Sequence, residues 1–141
     1  ISGANVDRDA LERLRAPRDD SDALRESLRA GLTPETIDAY PEEIDRIVGW
    51  RREDDASQVG WDGQVAAMLA GDLDDLYEVT TPALVFEGVA DRIVDPGTGE
   101  RLANELPRGE YRPVESGHLV HVEEPQVVAD ELLSWLDAQR E

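Results

Sequence analysis

The chain has 141 residues, 33 acidic against 14 basic, for a formal net charge of −19, and every basic residue is Arg. That length suits one domain with a buried core, and so negative a surface repels nucleic acid and anionic membranes, whose binding depends on Lys and Arg neutralising phosphates. Cysteine is absent, which excludes disulfides, thiolate chemistry and cysteine-ligated metal sites; no run of about 18 apolar residues is present to span a bilayer, and a soluble, cytoplasmic protein is expected.

The acidity is spread evenly, with 20 acidic and 9 basic groups in residues 1–78 and 13 and 5 in residues 79–141. Self-repulsion of this kind disfavours the compact state in dilute buffer, and roughly molar salt shortens the screening length to about 3 Å. A protein of a salt-loaded cytoplasm is the expectation; an ordinary acidic protein from a GC-rich genome that favours Arg codons is the alternative.

In chain order, Ile1-Ser2-Gly3-Ala4 reads as the end of a buried central strand, with sequence expected upstream. Residues 5–78 carry a helical pattern with no evident strand. Leu24 and Leu28 lie four apart behind Ser21 as N-cap, with Gly31 beyond the end, and Thr33-Pro34 places a capping side chain before a proline at the first helical position. Ile44, Ile47 and Val48 form the next apolar stripe, and Trp61, Val65, Met68 and Leu69 form another that stops at Gly71. Trp50 and Trp61 are candidates for lining a pocket under this helical layer, although aromatic residues on such helices are more often core.

Residues 79–141 have a different texture. Ala83-Leu84-Val85-Phe86, bounded by Pro82 and Gly88, predicts a strand buried on both faces. A helix is expected from about Thr98 to Leu106, then a strand over Glu110–Val114. After Pro125, Val128, Leu132, Trp135 and Leu136 predict a helix that buries one side. The order strand, helix, strand, helix implies a parallel βαβ unit covered by helices, an α/β fold.

Each strand runs into a loop bearing an ionisable residue, Asp91 in the first and His118 in the second. Open parallel sheets bind ligands at that rim. A carboxylate bonded to an imidazole fixes its tautomer and stabilises the imidazolium formed when the ring takes a proton from a nucleophile. Asp is also a common turn former and a lone His is often structural, so spacing by itself leaves both readings open.

The stretch from Thr81 to Leu136 resembles the C-terminal section of the α/β-hydrolase superfamily. Gly88, Asp91, Ile93 and Val94 match that family's Gly-x-x-Asp-x-Ile-Val, and Gly117, His118, His121, Glu123 and Pro125 match its Gly-His-x-x-His-x-Glu-x-Pro. The resemblance implies that Asp91 is the catalytic acid and His118 the general base, in the family's order of nucleophile, acid, histidine. It also implies that residues 5–78 form a helical cap, and that residues 79–141 are the α/β section carrying the acid and histidine. Ile93, Val94 and Leu119 become candidate substrate-pocket residues by position.

The family's nucleophile sits on a strained Gly-x-Ser-x-Gly turn. None of the six serines, Ser2, Ser21, Ser27, Ser57, Ser116 and Ser134, stands in such a turn, and the residues around Ser116 suit the turn that delivers His118. His118 and His121 with Glu123 or Glu124 fall short of a metal site, which needs three or four convergent ligands; no metal and no cofactor are expected. Two readings follow. In the first, the chain belongs to a hydrolase of esters, lactones, amides or related small molecules, inactive without an N-terminal section, covalent or separate, that supplies the nucleophile. In the second it is a non-catalytic fragment or interaction module that keeps Asp91 and His118 as relics, with an exposed sheet edge open to pairing with another copy.

Overall fold

The fold is that of a computed structural model that describes residues 5–72 and 74–140; the strand end read at residues 1–4 lies outside them. The helical layer begins with α1 (Arg8–Leu14), capped by Asp7, whose Oδ1 accepts from the Ala10 amide at 2.9 Å. Then come α2 (Ser21–Ser27), a 3-10 turn over Leu28–Ala30, α3 (Pro34–Ala39), α4 (Pro41–Asp54) and α5 (Gln58–Ala70). Thr33 caps α3 and Gly71 ends α5 as expected, while α2 is capped by Asp20, with Ser21 its first residue. Both side chains can satisfy an orphan amide at a helix start, and a boundary of this kind shifts by a residue without altering the buried face.

Two apolar clusters hold the layer together. Leu24, Leu28, Leu32, Ile37, Ile44 and Val48 form one, joined at its rim by Ala16, Ile47 and Leu119. Ala10, Leu11, Val65 and Ile93 form the other, with Trp61, Leu69 and Val94 against it. Each fully buried Leu or Ile contributes about 1.5–3 kcal/mol. Polar ties cross the layer as well: the largely buried Arg51 guanidinium donates to Ser27 Oγ at 2.7 Å, to the Leu14 carbonyl at 2.8 Å and to Asp55 Oδ2 at 2.7 Å. Two sequence expectations fail here. Trp50 is 61 % exposed and Met68 44 % exposed, because the stripes of α4 and α5 face their neighbours with Ile44, Val48 and Val65 instead.

The α/β section consists of β1 (Ala83–Gly88), α6 (Thr98–Glu105), β2 (Gly109–Val114), a short α7 (Val120–Glu123) and α8 (Pro125–Ala138). The strands pair in parallel, Ala83 opposite Gly109 through Gly88 opposite Val114, and α6 packs across both. Across the pair, the Tyr111 hydroxyl donates to the buried Glu87 carboxylate at 2.7 Å. An isolated antiparallel bridge, Val6 to Val94, joins the start of the helical layer to the loop after β1, with Asp7 N–H donating to Ile93 O at 2.8 Å and Asp95 N–H to Asn5 O at 2.8 Å. No sequence pattern had marked extended chain at Val6.

Burial in this section departs from expectation. Ala83–Phe86 of β1 is only half-buried, not covered on both faces. On α8, Leu132 is 39 % exposed and Leu136 42 % exposed, and no residue of that helix is buried. A two-stranded sheet offers each strand one neighbour and α8 little to lean on, so the apolar pattern is present while the surface it was shaped for is not supplied by the described residues. None of the helices among them is long and apolar enough to cross a membrane.

Candidate active site

The two strand-end loops are zipped together by backbone hydrogen bonds. Val89 N–H donates to Val114 O at 2.9 Å and Ala90 N–H to Ser116 O at 2.9 Å. This contact is close enough to require glycine at Gly88, where an added Cβ would stand 1.9 Å from Gly117 O. Beyond the zipper Asp91 turns back on its own loop, Oδ1 accepting from the Ile93 amide at 2.8 Å and the Val94 amide at 3.0 Å. Oδ2 remains for His118, whose Nδ1 lies 2.9 Å away.

The geometry thus brings together residues 27 positions apart. The Asp91 side chain is 8 % exposed and that of His118 35 %, an acid held inside and a ring open at its far edge. Burial pushes the Asp91 carboxyl up, but the hydrogen bond from His118, the amides of Val94 and Ile93 and the attraction of the imidazolium outweigh it and leave its pKa below the ordinary value. An ionised Asp91 keeps the ring proton on Nδ1, leaving Nε2 as a free proton acceptor.

A second buried carboxylate holds the histidine turn from behind. Glu123, 9 % exposed, accepts from the Gly117 amide through Oε1 at 2.7 Å. Its Oε2 accepts from the Thr33 amide at 3.0 Å, from the Thr36 hydroxyl at 2.7 Å and from the Thr33 hydroxyl. One side chain therefore ties the residue before His118 to the N-terminus of α3. Leu119 N–H adds a bond to Gly31 O at 3.2 Å. The sequence motif contains Glu123, yet its threonine partners stand 87 and 90 positions away, and no local signal marks them.

Of the candidate pocket residues, Ile93 is 1 % exposed and packs within the α1–α5 cluster, with Val94 at its margin. Val94 also lines a hollow that reaches Asp91, and Leu119 packs on the cluster of α2, α3 and α4. Ser116 is 1 % exposed with Oγ turned to Gly117 O at 3.2 Å, a turn former rather than an accessible hydroxyl. His121 lies on the exposed side of α7, and Glu123 is turned toward Gly117 and the threonines.

No family model matches the sequence. Solved structures do resemble it: an enol-lactonase from Burkholderia xenovorans LB400, with a TM-score of 0.69 at 19 % identity over 92 % of this chain and 49 % of that one. The fold matches part of the α/β-hydrolase fold. A hydrolase from Pseudomonas aeruginosa PA01 superposes with a TM-score of 0.67 at 25 % identity, covering 95 % of this chain and 50 % of its own. A thermophilic esterase from Thermogutta terrifontis gives 0.63 at 24 %, covering 93 % and 48 %. The chain spans about half the length of these structures, and its described residues form a small parallel sheet with flanking helices.

Proposed function

We propose that this chain supplies the acid, the base and the cap of a hydrolase acting on esters, lactones, amides or related small molecules, with the nucleophile furnished by an N-terminal section, covalent or separate. The observation that carries the reading is the 2.9 Å contact between His118 Nδ1 and Asp91 Oδ2 at the strand-end rim. His118 Nε2 takes the proton of the nucleophile as it attacks the acyl carbon and returns it to the leaving group; it then deprotonates the water that releases the acid. Asp91 holds the ring in place and stabilises the imidazolium. The cap closes over the site and excludes solvent. The bare apolar face formed by Leu132, Leu133 and Leu136 on α8 favours a partner that completes the sheet and its covering layer.

Mixing the chain with a segment that carries a Gly-x-Ser-x-Gly turn tests this. Ester hydrolysis should appear in the mixture and fall by about 10⁴-fold or more with His118→Ala. Full activity in that variant would remove the assigned role. A mixture that forms no complex while the chain pairs with itself through a strand edge would favour the interaction-module reading.

A further inference from the structure

A cavity of about 610 Å³ opens between the C-terminal end of α1, the α2 segment and the acid-bearing loop, with Arg13, Arg15, Arg29 and Arg92 around it and Glu26 as the one carboxylate in its wall. In a chain of net charge −19 such a concentration of cations is out of keeping with the rest of the surface. Glu26 is already engaged, its Oε2 accepting from Arg29 Nε at 2.9 Å, and the two terminal nitrogens of Arg29 remain as donors. The guanidinium groups of Arg13, Arg15 and Arg92 are engaged by no carboxylate among the described residues, although acidic groups outnumber basic ones more than twofold. Other arginines, Arg8, Arg46 and Arg52 among them, also have no carboxylate partner among the described residues; what sets these three apart is that they line one cavity together with Arg29.

Arg13 and Arg92 also border the neighbouring hollow that reaches Asp91, where the acidic groups are Asp7, Asp91 and Asp95. Asp7 caps α1 and Asp91 is held by His118 and two amides. An anion is therefore repelled on the Asp91 side and attracted on the arginine side of the same two residues. At physiological ionic strength charges are screened over about 8 Å, so these nearby arginines outweigh the acidic surface at a distance. A guanidinium offers parallel N–H donors that match the two oxygens of a carboxylate, and alanine and proline carbons between the arginines give a short hydrocarbon chain something to lie against. The volume falls in the range of small-molecule pockets, about 300–1,000 Å³.

We infer that this cavity binds the carboxylate of a small organic anion, so that the substrate class is an ester or lactone carrying a free carboxylate remote from the bond that is cut. The word substrate rests on the hydrolase reading; anion binding does not. The 141-residue chain is titrated calorimetrically with sodium succinate at constant ionic strength, with neutral succinamide and inorganic phosphate as comparison probes. Succinate should bind saturably at one site, and Arg13→Gln and Arg92→Gln should each weaken it by about tenfold or more. Arg140→Gln, at the far end of α8, should leave it unchanged, and circular dichroism should show every variant folded as the parent is. Arg92→Lys, which keeps the charge and loses the fork, should fall between parent and Arg92→Gln. Absence of saturable succinate binding, equal binding of succinamide, binding of phosphate alone, or indifference to the Arg13 and Arg92 substitutions would each overturn the assignment. Succinate binding without hydrolysis in the complemented mixture would count against the hydrolase reading alone, and hydrolysis without succinate binding against the anion pocket alone.

Discussion

The helical layer and the α/β section solve opposite problems. The layer is anonymous in sequence and well packed: Leu24 is fully buried and Ile44 1 % exposed. The α/β section carries both motifs that resemble those of hydrolases and leaves much of its apolar pattern uncovered, with no buried residue on α8 and Ala83–Phe86 half-exposed. The section that bears the motifs is the one whose sheet and last helix find the fewest partners among the described residues. The difference shows that a recognisable site and a self-sufficient core are separate properties, one set by a few side chains at strand ends, the other by how many apolar faces find partners.

Salt should produce the largest effect and should not distinguish the two regions, because the excess negative charge is divided between them. Dialysis from roughly molar salt into dilute buffer is expected to unfold the chain altogether, with far-UV and near-UV circular dichroism lost together. A fold that persisted unchanged in dilute buffer would remove the halophilic expectation. Next comes Ile44→Ala, which leaves a cavity in the layer's core and should cost about 2–5 kcal/mol in a urea titration.

Glu123→Gln cuts the tie between the regions: an amide cannot accept everything the carboxylate accepts from Gly117, Thr33 and Thr36. A loss of about 1.5–3 kcal/mol is expected, since hydrogen bonds to a charged group are worth that much, and a value near zero would show that the two regions hold their relation without it. Asp91 contributes through pH. Its pKa is lowered in the folded chain, so the stability it lends is fully present above the ordinary carboxylate value of 3.8 and is lost as pH falls through its folded pKa. Acid titrations of the parent and Asp91→Asn should differ in slope below about pH 4 and run parallel above it. The smallest effect belongs to Leu132→Ala, below about 1 kcal/mol in the chain by itself, because that side chain is 39 % exposed and leaves no cavity; a cost equal to that of Ile44→Ala would erase the contrast between the regions.

Most of the element order was readable from local signals. Thr33-Pro34, Gly71, Pro82 and Pro125 punctuate the chain by backbone chemistry that acts over a few residues, and the two strand-end loops stand out for the same reason. Asp91 and His118 could be paired because both follow parallel strands, and the topology then places them at one rim. Burial was less legible: an apolar stripe says which face of α8 wants cover, and says nothing of whether cover arrives. Trp50 misled for the complementary reason, since a large apolar side chain can sit on the outer face of a helix whose stripe is filled by Ile44 and Val48. The Val6–Val94 bridge, the partners of Glu123 and the arginines that gather around one cavity depend on three-dimensional proximity of distant segments, which no window of sequence contains.

Glu123 ends as the most consequential of these. Three of its four donors belong to Thr33 and Thr36 and the fourth to the peptide just ahead of the histidine. Any outward swing of α3 strips that carboxylate of most of its partners at once and slackens the backbone that aims the imidazole. The place of α3 and the setting of the imidazole are thereby linked through one side chain: displace the helix and the turn that carries His118 loses one of its anchors.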